Sequence, residues 1–155
     1  MNDFEMLLDQ VFQEVPVLEG QIREEGYDGL YRDGRIYLDK RLLTVQKKER
    51  LVEEYCHHKT SVGDIIDYND PESRKQEATA RRLALETLIP LEKLVECAFA
   101  GCRGKYECAE YLDVDPSTLA AALNHYAAKY GQTYLYKNYI LHFDNETVRI
   151  VNTRK

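Results

Sequence analysis

The residues best suited to chemistry fall in one short run, Glu53-Glu54-Tyr55-Cys56-His57-His58. Residues four apart stack on one face of a helix, so Glu53 and His57 can close on a single ion if the run is helical. Glu54 follows the first of them, about 100° around the helix axis. This is the layout of the H-E-x-x-H zinc helix with glutamate in the first histidine's place. In that layout the outer residues hold a divalent metal and the inner glutamate takes a proton from the attacking water. The other register, Glu54 with His58, puts Tyr55 where the base belongs, and a phenol is no carboxylate base. The Glu53/His57 register is preferred because it leaves Glu54 in that position.

A hydrolytic metal takes a third protein ligand and keeps one position open for water. Glu77 is the candidate. It lies twenty residues beyond His57, early on a second helix, so a loop and turn can fold it back against the first. Thermolysin-like zinc enzymes place a glutamate on a following helix at a similar separation. Blander readings exist for each residue. Glu53 and Glu54 sit in a charge-rich run with Lys47, Lys48, Glu49 and Arg50, which reads by itself as a solvated helix face. His57 and His58 read singly as one half-buried and one exposed imidazole. Glu77 alone pairs at the surface with Arg74 or Arg81, an interaction worth little energetically. Taken together, the spacing favours the metal site.

The elements that must position these residues are legible from pattern. Phe4, Leu7, Leu8, Val11 and Phe12 recur at helical spacing and predict an amphipathic helix over 2–14, ended by Pro16. Between Val15 and Leu38 the period shortens. Asp33-Gly34 between Leu30-Tyr31 and Arg35-Ile36-Tyr37-Leu38 signals a hairpin, and a small antiparallel sheet is expected there. Thr44 is placed as the cap of the helix carrying the candidate site, which runs to about Lys59. Gly63 and Asp67-Tyr68-Asn69-Asp70 form a loop, and Asp70-Pro71 starts the helix of Glu77, which runs until Pro90. Helices follow over about 91–100, 106–112 and 116–130, the last with Asp115 before it and Gly131 after it. The tail, from Tyr134-Leu135-Tyr136 through the Asp144-Asn145-Glu146 turn to Val151, reads as a terminal hairpin.

Composition bounds the function. The chain has 155 residues, 44% hydrophobic and 31% charged, enough for one α+β domain with its own core. Within that single domain, residues 1–100 hold the core with the candidate site, 101–131 a helix-turn-helix-like pair and 132–155 the hairpin. Lys and Arg number 21 against 27 Asp and Glu, a net charge of −6, which argues against broad phosphate-backbone binding. The 116–130 helix offers Asn124 and Lys129 with Asp113 and Asp115 at its entrance, thin equipment for reading DNA, so it is expected to pack or to dock a protein. No window is apolar enough for a membrane span, and the acidic start lacks a signal-peptide n-region, so the chain is expected in the cytoplasm. Cys56, Cys97, Cys102 and Cys108 contain no C-x-x-C pair and are expected as reduced, packed thiols. The 12 tyrosines are read as mixed core and surface packing.

Several stretches in order carry a family likeness: GLYRDGRIYLDKRL, then LVEEYCHHKTSVGDIIDYND, the E-x-x-A-x-R-x-A pattern around Glu77, the LIP helix end, and KYECAEYLDVDPSTLAAALNHYAAKYG. Together they resemble the ImmA/IrrE family of phage- and mobile-element-associated metallopeptidases, in its short Gram-positive form with E-E-x-x-H in the active helix. The resemblance implies a mainly helical, zincin-like α+β fold. It places the metal ligands on Glu53, His57 and Glu77 and the catalytic glutamate on Glu54. The activity it implies is a cytosolic endopeptidase cutting a helix-turn-helix-type repressor and so releasing a prophage or mobile element from silence. A fold that grips such a regulator as an antirepressor, without cutting, is the other possibility. The departure at Glu53 has a chemical consequence. His-His-Glu around a divalent ion has net charge +1, whereas Glu-His-Glu has zero, so water is polarised less. Zn²⁺ is expected first, weakly held, with Mn²⁺ or Fe²⁺ made competitive by the harder oxygen donors.

Overall fold

In a computed structural model of the chain, Asp33 and Gly34 both adopt positive φ, 53° and 73°, the conformation a tight hairpin needs and their residue types tolerate. Across that turn β2 (Gly29–Arg32) pairs antiparallel with β3 (Arg35–Asp39), as its sequence predicts. The structure describes residues 3–22, 27–60, 71–143 and 148–152. The Gly63–Asp70 loop, the Asp70 cap and the Asp144–Glu146 turn lie outside the described residues.

The chain divides into two compact units, residues 1–84 and 85–155. In the first, α1 (Asp3–Phe12) precedes β1 (Val17–Gly20), and the three strands form one sheet in the order β1-β3-β2. Here the structure differs from the expected antiparallel sheet: β1 runs parallel to β3, with Val17 opposite Ile36. No turn signal encodes that pairing, because β1 and β3 are separated in the chain by β2 and are not joined by a hairpin. Burial explains it. Putting β3 in the centre encloses Ile36 and Leu38 completely, against Phe4, Val11, Val15, Val17 and Leu51. The fully buried Asp39 at the end of β3 secures the crossover. Its carboxylate accepts the Ile22 N–H at 3.0 Å, the Arg41 N–H at 2.9 Å and the Arg41 guanidinium at 2.9 and 3.0 Å.

Two helices carry the candidate site in the first unit, α2 (Thr44–Thr60) and α3 (Pro71–Leu88), the latter continuing past the boundary. The start of α2 corrects the expected cap. The Lys47 N–H donates to the Leu43 carbonyl at 2.9 Å, so Leu43 is the N-cap residue and Thr44 is the first full helical position. Gln46 reaches back to accept the Leu43 N–H at 3.1 Å, half of a capping box. Leu51, Val52 and Cys56 anchor the buried face of α2. Gly29 permits the close approach of β2, since a Cβ there would meet Arg50 Cβ at 3.2 Å.

The second unit has α4 (Leu91–Phe99), α5 (Gly104–Leu112) and α6 (Pro116–Tyr130), followed by β4 (Thr133–Tyr136), β5 (Tyr139–Phe143) and β6 (Val148–Asn152). The expected terminal hairpin gains a third strand: β4, β5 and β6 form an antiparallel meander. Pro116 opens α6 and Gly131, at φ 88°, closes it. Leu94, Leu119, Leu123 and Leu141 fill the core, and the buried Tyr126 hydroxyl donates to the Ile89 carbonyl at 2.7 Å. The fold is α+β and mainly helical. Among the described residues no helix is long and apolar enough to cross a membrane.

Candidate metal centre

Helical periodicity brings Glu53 and His57 to one face of α2, and α3 carries Glu77 to meet them. One donor atom from each of Glu53, His57 and Glu77 lies within 4.8 Å of the others. His57 Nε2 stands 3.3 Å from Glu77 Oε1. His57 is buried, while Glu53 and Glu77 are half-buried, so the cluster has one dry side and one side open to solvent. Two carboxylates and an imidazole make a mixed O/N donor set of the kind that divalent Zn²⁺, Mn²⁺ or Fe²⁺ takes. The residues present therefore fit such an ion.

Glu54 is buried, only 8% exposed, on the neighbouring face of α2. Burial pushes its carboxyl up to about 7; the charges of Glu53 and Glu77 add to that rise, and His57 and Arg50 oppose it. Burial works against a protonated His57. The hydrogen bond to Glu77 and the surrounding charges of Glu54, Glu77 and Glu53 outweigh it, and the ring's pKa rises. The two groups influence each other: the Glu54 charge raises the His57 ring, and the His57 charge lowers the Glu54 carboxyl.

The alternative register, Glu54 with His58, meets a different environment. His58 Nδ1 lies 2.9 Å from the Tyr31 hydroxyl and Nε2 lies 3.8 Å from Glu14. The Tyr55 hydroxyl donates to the same Glu14 carboxylate, and the Tyr55 ring stacks on His58. His58 is thereby engaged with Glu14, in the turn after α1, and with Tyr31 of β2. Sequence reasoning missed Glu14 and Tyr31, which are 44 and 27 residues from His58 and carry no local signal. It also passed over Arg50, whose guanidinium donates to Glu53 Oε2 at 2.6 Å. The i, i+3 spacing of Arg50 and Glu53 was the available sign.

A protein-family model for the IrrE N-terminal-like domain, peptidase family M78, matches residues 10–124. The chain belongs to that family. The match runs from the end of α1 well into α6, so it covers β1–β3, both helices of the candidate centre, α4, α5 and the first part of α6. No curated protein and no solved structure matches the chain significantly. Membership of the IrrE N-terminal-like family makes the protein one of metallopeptidase type and accords with a divalent metal at the Glu-His-Glu cluster.

The raised carboxyl of Glu54 has a consequence for stability in metal-free protein. Its pKa is higher folded than unfolded, so the folded chain binds the extra proton between about 4.5 and 7. Stability is therefore fully present below the unfolded value and declines as pH rises through the folded one. At about 1.4 kcal/mol per pH unit the decline is on the order of 3 kcal/mol. Urea unfolding of chelator-treated protein is expected to show wild type losing stability across that window relative to Glu54→Gln, whose amide does not titrate. Parallel curves for the two proteins would remove the buried, proton-binding Glu54.

Proposed function

We propose that this protein is a metal-dependent endopeptidase of the cytoplasm that cuts a helix-turn-helix-type repressor and so relieves silencing of a prophage or mobile element. The observation that carries the catalytic part is the convergence of Glu53, His57 and Glu77 within 4.8 Å beside the buried Glu54. Glu53, His57 and Glu77 would hold a divalent ion, with Zn²⁺ first and Mn²⁺ or Fe²⁺ as competitors. When bound, such an ion supplies Lewis acidity toward the peptide carbonyl and the attacking water. Glu54 takes the proton of that water on its carboxylate and returns it to the leaving amine. A carboxyl held near neutrality suits both halves of that transfer, and a cation beside it favours the ionised form needed first. In the metal-free protein Glu77 faces His57 Nε2 at 3.3 Å, a contact that a bound ion would replace.

The repressor is the proposed partner because regulators of that type are what the ImmA/IrrE likeness implies; the acidic chain and the poorly basic α6 speak against DNA itself. Co-expression with the repressor encoded beside this gene tests the proposal. A single defined cut, lost on metal starvation, is expected. An intact repressor in metal-replete cells would overturn it. One observation favours the second reading, an antirepressor that binds without cutting. The Arg50 guanidinium on Glu53 places a cation against a ligand carboxylate and opposes the entry of a metal ion. Elemental analysis of protein purified without chelator separates the two, since a centre that refuses Zn²⁺, Mn²⁺ and Fe²⁺ leaves only binding.

A further inference from the structure

The second unit gathers three thiols that the spacing in sequence does not advertise. Cys97 lies in the last turns of α4, Cys102 in the loop that follows and Cys108 in α5. The loop folds back tightly: Gly101 and Gly104 take φ 79° and 75°, and the Cys102 N–H donates to the Cys97 carbonyl at 3.5 Å. The three Sγ atoms consequently lie within 4.8 Å of one another. Cys97 and Cys108 are almost fully buried, at 1% and 3% exposed, and Cys102 is half-buried at the edge of the cluster. The four cysteines of the chain form no disulfide.

We propose that Cys97, Cys102 and Cys108 form a second metal site, a three-thiolate cradle for a thiophilic divalent cation of the Zn²⁺ class. Three points of geometry and charge support it. Zinc–sulfur bonds of about 2.3 Å arranged tetrahedrally put sulfurs roughly 3.8 Å apart, so the cluster needs a contraction of no more than about 1 Å. Cys102, on the half-buried side, leaves room for water as the fourth ligand. A divalent ion with three thiolates has a net charge of −1, whereas a monovalent one would leave −2 in a largely apolar core. Arg103 follows Cys102 directly and Lys105 lies two residues further on. Burial and the neighbouring sulfurs hold the Cys97 thiol well above its usual range, so a metal must displace a proton there. Binding releases three protons, one from each thiol, as three sulfur–metal bonds form. The site ties the end of α4 to α5 and contains none of the residues of the Glu53-His57-Glu77 centre.

The test uses Cd²⁺ with the reduced full-length protein, because sulfur–cadmium charge-transfer absorption is blind to carboxylate and imidazole ligands. One equivalent is expected to develop the ultraviolet band and protect three thiols from alkylation, and Zn²⁺ should compete the band away. Cys102→Ala, at a half-buried position that spares the core, should weaken Cd²⁺ binding by at least about 10-fold, the low end of what even an outer-shell partner contributes. Cys56→Ser should leave the band in place. Absence of the band at one equivalent, or a band indifferent to Cys102→Ala in protein whose circular dichroism is native, would overturn the site. A disulfide among these residues formed in air by freshly reduced protein, with no metal uptake before it, would overturn it equally and assign the cluster to redox chemistry.

Discussion

Glu54→Gln is expected to reduce the proposed cleavage of a repressor by roughly 10²–10⁴-fold, the usual contribution of a positioned general acid–base. The amide keeps the shape and the hydrogen-bonding reach of the side chain but cannot accept a proton from water. It also stays neutral at every pH, so the buried position no longer strains against charge. The variant should therefore be at least as stable as wild type at neutral pH, and its loss of activity cannot be put down to unfolding. Metal content should be unchanged, because Glu54 lies on the neighbouring face of α2 and outside the cluster of donor atoms. Purified protein, the repressor and mass spectrometry of the products suffice. Proteolysis at the wild-type rate would take Glu54 out of the mechanism.

The second large effect is expected on metal affinity. Glu77→Ala removes one of three donors and one of two negative charges, taking the formal charge of an occupied centre from zero to +1. Losing a direct ligand should weaken binding by more than the 10–100-fold typical of outer-shell partners, on the order of 10³-fold. Glu77 is 36% exposed, so the substitution leaves no cavity in the core. Calorimetric titration with Mn²⁺ is the cleaner measurement, since a hard ion has little affinity for the cysteine cluster. His57→Ala should be as damaging. His58→Ala should leave Mn²⁺ affinity near wild type, because that ring faces Tyr31 and Glu14. If His58→Ala abolished binding and His57→Ala did not, the Glu54/His58 register would be restored.

The local features of the molecule were legible in the sequence because each has a local physical cause. Asp33-Gly34 tolerates positive φ, so the β2–β3 hairpin is visible in two residues. Proline lacks the amide that a helix interior requires, so Pro71, Pro90 and Pro116 mark where α3, α4 and α6 begin. The 3.6-residue period puts Glu53 and His57 together whatever else the chain does. The cap of α2 is less legible for a reason equally local: the Gln46 carboxamide serves the Leu43 N–H, and leucine as the cap residue offers no side-chain signal beside the hydroxyl of Thr44.

Tertiary structure decided everything that depends on residues far apart in the chain. No turn residue encodes the parallel β1–β3 pair, which arises because a central β3 buries Ile36 and Leu38 on the first unit's core. Glu77 had several arginines near it in sequence, and only the packing of α3 near α2 turns its carboxylate to His57 instead. The burial that lifts Glu54 toward neutrality is likewise a property of its surroundings, not of its neighbours in sequence. The cysteines show the contrast most plainly. Spacings of five and six residues match no familiar metal motif, and a loop bent by two glycines at positive φ brings the three sulfurs to one point. Short-range sterics and hydrogen bonding write the elements into the sequence, whereas the free energy of burying apolar surface selects which of their faces meet.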